Sequence, residues 1–118
     1  MGFRMSVKLE NSDTWYGDDH KLYGYWGYDD VHKSFDILLP LMQKQWKWVD
    51  EEDKPSVTYD IVMCCAGYTD ELVVDEDTFR RFVTEYMEEL KATEHDITRF
   101  GYLTELAKQS GNKILEWG

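Results

Sequence analysis

A chain of 118 residues and 14.1 kDa that is 42% hydrophobic has the size and composition of one globular domain, residues 1–118, with an ordinary core and no need of metal or disulfide staples. Its 24 acidic against 13 basic side chains give a net charge of −11, which repels phosphate backbones and argues against direct nucleic-acid binding. No run of about 18 apolar residues offers a membrane span, and Met1 to Glu10 lacks an apolar segment of signal-peptide length.

Met5, Val7 and Leu9 alternate with Ser6, Lys8 and Glu10, the period-two pattern of a half-buried strand. After a polar connection from Asn11 to His20, Leu22 to Trp26 is aromatic enough to return as a second strand. From Phe35, apolar residues recur at Leu38, Leu39, Met42, Trp46 and Val49, one stripe of a first helix spanning roughly Val31 to Val49. Pro40 interrupts that stripe, so the helix either kinks there or begins there. The acidic run Asp50 to Asp53 followed by Lys54-Pro55 reads as a short surface link.

Ser56 to Ala66 reads as a strand in the middle of the sheet, with Val57, Tyr59, Ile61, Met63 and Cys65 on one face. Gly67 to Asp70 has turn chemistry, and Leu72 to Val74 is expected to return beside it as a second hairpin. Asp75, Glu76 and Asp77 set carboxylates at the start of a second helix, where free N–H groups and the macrodipole favour negative charge. Phe79, Phe82, Val83, Tyr86, Met87 and Leu90 give that helix the strongest periodicity in the chain. Thr93 and Asp96 are placed to cap a third helix carrying Ile97, Phe100, Leu103 and Ala107, with Gly111 as its stop. Ile114 to Trp117 either pack on the core or form an edge strand. The order ββαββαα predicts an α+β domain, a small antiparallel sheet with about three helices largely on one face.

Cys64 and Cys65 are adjacent, too close for a low-strain bridge, and lie in an apolar run. They read as reduced, buried side chains in a reducing compartment, which places the protein in the cytoplasm. The same burial disfavours a thiolate, so no nucleophile is assigned from them with His20, His32 or His95. Asp18, Asp19 and His20 have metal-ligand chemistry in a flexible loop. No spaced histidine or cysteine set accompanies them, and a solvated loop is the simpler reading. Glu89-Leu90-Lys91 has the outline of a nuclease Glu-x-Lys element without an upstream aspartate in a matching context. Gly24 and Gly27 lack the Lys-Ser/Thr partners of a phosphate loop. No catalytic residue, metal or cofactor is implied.

What remains is surface chemistry. Asp13 to Asp30 interleaves Trp15, Tyr16, Tyr23, Tyr25, Trp26 and Tyr28 with five aspartates, and aromatic anchors are enriched at protein interfaces. Tyr23, Tyr25 and Trp26 fall in a predicted strand and are expected in the core, which leaves Trp15, Tyr16 and Tyr28 as anchors. Residues 70–96 hold ten acids against three basic side chains, a local charge of −7, from which Asp77, Glu85, Glu88 and Glu89 are the charge candidates. The expected function is a non-enzymatic inhibitor that docks on a basic, nucleic-acid-handling protein such as a nuclease, of toxin-immunity or DNA-mimicking anti-defence type. A metal-dependent enzyme built on Asp18, Asp19 and His20, or a structural subunit of a larger assembly, are the alternatives.

Overall fold

The computed structural model describes residues 3–16, 23–24, 33–58, 62, 70–92 and 101–117. They form strands β1 (Phe3–Leu9), β2 (Tyr23–Gly24), β3 (Glu71–Val74) and β4 (Lys113–Trp117), with helices α1 (Lys33–Gln45), α2 (Glu76–Ala92) and α3 (Gly101–Lys108). The chain order is β1-β2-α1-β3-α2-α3-β4. This is the expected α+β class, a small antiparallel sheet with helices packed on it.

The sheet runs β2-β1-β4-β3, every pair antiparallel. Register aligns Val7, Leu115 and Leu72 across three strands, and all three are fully buried. The next row on that face is Leu9, Lys113 and Val74. Residues of the intervening rows, Lys8, Ile114 and Val73, turn to the outer face, because neighbouring side chains on a strand alternate. The expected first hairpin is present, since β2 pairs with the start of β1.

The helices cover the inner face. Phe35, Leu38, Met42 and Trp46 of the predicted stripe are buried in one cluster with Phe79, Phe82, Val83 and Tyr86 of α2 and Leu103 and Leu106 of α3. α1 runs through Pro40. Both Pro40 and Asp36 are exposed, so the carbonyl that loses its donor to proline lies on the water side. The helix ends at Gln45, and Val49, expected on its apolar stripe, is 54% exposed.

Two expectations are corrected. Ser56 to Ala66 is not a strand where it is described: Ser56 to Thr58 lie outside any strand, and Val62 is helical, its N–H donating to the Thr58 carbonyl at 2.9 Å. Val57 and Val62 are still buried, so the apolar pattern reports core membership without reporting conformation. Tyr59 to Ile61 and Met63 to Thr69, with both cysteines, lie outside the described residues. β3 therefore finds its partner in β4, which is a central strand between β1 and β3 rather than an edge.

A polar lock joins the start of α2 to the end of α3. Gly111, three residues past the end of α3, adopts φ 102°, a backbone conformation that glycine takes without strain, and its N–H donates to Glu76 Oε2 at 2.9 Å. Arg80 pairs with Glu76 at 2.6 Å and donates to the Ala107 carbonyl at 2.8 Å. Beneath them the fully buried Lys113 donates to the Gln109 and Gly111 carbonyls at 2.7 and 2.6 Å, with Nζ 5.4 Å from the Phe79 ring centroid.

Candidate functional site

The aromatic anchors expected to act together face opposite ways. Tyr16 exchanges two 2.8 Å backbone hydrogen bonds with Val7, which places it in the Val7 row on the inner face, and it packs half-buried against the core. Trp15, one residue earlier, turns outward, where Lys8 Nζ stands 4.5 Å from its ring centroid. Such a contact is worth roughly 0.5–1 kcal/mol at an exposed site. Tyr28 lies outside the described residues.

Helical geometry sorts the acids of α2. With Phe79, Phe82, Val83 and Tyr86 buried, the opposite ridge carries Asp77, Arg81, Thr84 and Glu88, all exposed. Asp77 and Glu88 are roughly 16 Å apart along the axis at about 1.5 Å per residue, and Arg81 stands between them. The helix holds five acids against three basic residues, so most of the local excess lies in its flanks. Glu85 is half-buried in an open groove between α1 and α2, lined also by Ile37, Arg80, Arg81 and Thr84. Glu89 accepts the hydroxyl of fully buried Ser34 at 2.7 Å and the Ser34 N–H at 3.3 and 3.4 Å. Its carboxylate thus caps the start of α1, where free N–H groups favour an anion. Asp75 does the same for α2, accepting the Thr78 N–H at 3.1 Å. Hydrogen bonds from the Thr78 hydroxyl and N–H hold its carboxyl below its ordinary value.

Because the sheet lies against the inner side of the helix layer, the α2 ridge and Trp15 are on opposite sides of the molecule.

Asp50 to Pro55 form the surface link expected after α1, but the sequence did not mark that link as a candidate site. Asp50 Oδ1 accepts the N–H groups of Glu52 and Lys54 at 2.8 and 3.0 Å, and Asp50 N–H donates to the Lys54 carbonyl at 2.8 Å. Asp53 takes φ 60°, a conformation that aspartate tolerates better than most side chains, and Val49 bridges Pro55 across the base. Asp50, Glu51, Glu52 and Asp53 are all exposed, and Lys54 pairs with Glu52 at 3.0 Å. Half-buried Trp48 stacks on buried Trp46 at 4.7 Å between centroids, which anchors the turn to the core. The readable signal was Trp46, Trp48 and Val49 immediately before four consecutive acids.

Among the described residues, no group of three His, Cys, Asp or Glu side chains is placed to hold a metal ion, and no helix is long and apolar enough to cross a membrane. Asp18, Asp19, His20, His32 and His95 lie outside those residues. Compared with protein-family models, curated proteins and solved structures, the chain matches none.

Proposed function

We propose that this chain is a non-enzymatic acidic binding protein of the cytoplasm that docks on a basic, nucleic-acid-handling protein, as toxin-neutralising and DNA-mimicking anti-defence proteins do. The observation that carries the reading is the net charge of −11 together with the display of acids on a core-anchored turn, where Asp50 to Asp53 stand exposed in sequence. A rigid acidic turn attracts a cationic partner at long range without the entropic loss of ordering a flexible tail. Glu51, Glu52 and Asp53 therefore join Asp77 and Glu88 as the charge candidates. Glu89 serves the α1 cap, and Trp15 belongs to the far side.

Affinity capture from a lysate of the source cell, at low and raised salt, tests the reading. A basic partner released by salt supports it; a salt-resistant partner points to a structural subunit, and reproducible absence of any partner rejects it. Charge reversal then locates the surface. Glu51→Lys with Glu52→Lys, and separately Asp77→Lys with Glu88→Lys, should weaken capture of that partner at least tenfold for whichever surface is used, with thermal stability close to that of the parent protein.

A further inference from the structure

Among the described residues strand β3 forms one border of the sheet, and both outward backbone groups of Val73 and the carbonyl of Glu71 are already occupied by side chains of Gln45, the last residue of α1, and Trp46, which follows it. Gln45 Nε2 donates to the Val73 carbonyl at 2.7 Å while Gln45 Oε1 accepts the Val73 N–H at 2.9 Å. Trp46 Nε1 donates to the Glu71 carbonyl at 2.9 Å. In an antiparallel pair, alternate residues direct both backbone groups to the same side, so Glu71 and Val73 face outward while Leu72 and Val74 bond β4. A primary amide carries one acceptor and donors in the plane of a peptide group. Gln45 thus meets Val73 as a residue of a neighbouring strand would.

We infer that Gln45, supported by Trp46, is a strand surrogate that closes the β3 edge and prevents a second copy of this chain from pairing there. A second copy is the relevant occupant because a two-fold pair of β3 strands is self-complementary: the Val73 N–H of each would meet the Val73 carbonyl of the other. Glu-Leu-Val-Val is short but apolar and branched, and Val73 is 36% exposed. The same register sets Glu71 opposite Asp75 of the other copy, and like charges directly across a pair are unfavourable. Charge and the amide therefore protect the edge together, two devices by which natural sheets avoid edge pairing.

The test is Gln45→Met, which keeps side-chain length and helix propensity and removes both amide bonds. It is read by sedimentation over a concentration series in about 0.5 M sodium chloride, where screening shortens the reach of the acid repulsion. The variant should show mass rising with concentration toward twice that of the parent protein. Adding Val73→Pro should abolish the rise, because proline removes the outward N–H and is accepted on an edge strand. At concentrations too low for association, the Val73 amide should exchange with deuterium at least tenfold faster in Gln45→Met than in the parent protein. Equal mass for Gln45→Met and the parent protein across the series, equal association with and without Val73→Pro, or unchanged Val73 exchange would each overturn the inference.

Discussion

Two titratable residues each make the stability of the fold rise with pH, one in the acid range and one in the alkaline range. Asp75 holds the start of α2, and its carboxyl is held below the ordinary value of 3.8, first by the Thr78 hydroxyl. A depressed acid stabilises the fold fully above its unfolded value, and that stability is lost as pH falls through the folded one. Asp75→Ala should cost about 1 kcal/mol at pH 7, the usual worth of an N-cap, and much less near pH 2; urea melts at the two pH values measure the difference. Lys113 acts in the alkaline range. Burial is the main force lowering it from 10.5, with Glu76 opposing and Arg80 adding to the shift. Between the folded and unfolded values the unfolded chain binds more protons, so stability should rise with pH toward 10.5. Lys113→Met removes a buried charge but leaves the Gln109 and Gly111 carbonyls without this donor. Because Gln109 and Gly111 are themselves exposed and water can replace the lost donor, the variant should be destabilised by about 1 kcal/mol, the usual net worth of a hydrogen bond, and should lose the alkaline rise in melting temperature.

At the scale of elements, α1 depends on α2 for its beginning. Glu89 is a helix-capping acid supplied from 55 residues away, and a charge-assisted hydrogen bond is worth about 1.5–3 kcal/mol. Glu89→Ala should lower stability by that amount in chemical denaturation, and Ser34→Ala by less, since the Ser34 N–H retains the carboxylate. Sequence periodicity made α2 and most of α1 legible because one buried face dictates a 3.6-residue spacing. It located Phe35, Leu38, Met42 and Trp46 in the core. It did not show that Glu89 turns toward Ser34, because a capping partner so distant in sequence leaves no local pattern. The Ser56 to Ala66 pattern misled for a related reason. Val57 and Val62 are buried, and an apolar run reports burial whether its backbone bonds a neighbouring strand or closes a helical turn onto Thr58. Ile114 to Trp117 were open to either core packing or an edge strand because nothing local in them reveals that β1 and β3 flank them. Trp15 and Tyr16 were expected to serve together as anchors, but alternation along an extended segment sends them to opposite faces.

For the whole molecule, charge opposes folding. Compaction brings the net −11 into a body with a Cα radius of gyration of 13.8 Å, whereas the unfolded chain spreads it over a larger volume. Raising ionic strength from about 0.02 to 0.2 M shortens the Debye length from roughly 20 to 7 Å and relieves this repulsion by something on the order of 2 kcal/mol. Salt also weakens favourable pairs. Those between described residues, Lys54–Glu52, Arg80–Glu76 and Lys108–Glu105, lie at least partly in solvent, where each is worth about 0.2–1 kcal/mol and loses only part of that to screening. The relief of repulsion therefore wins, and the melting temperature should rise by roughly 3–6 °C across this interval. Calorimetry in sodium chloride and, separately, in a chloride of a bulkier monovalent cation tests the origin of the effect: general screening predicts equal rises, whereas specific occupation of a cation site predicts unequal ones. If the protein docks on a cationic partner as proposed, the same screening that stabilises the fold should weaken that binding. A protein whose stability and partner affinity move in opposite directions with salt is the physical signature expected of an acidic docking protein, and measuring both on one preparation separates that from an acidic surface kept only for solubility.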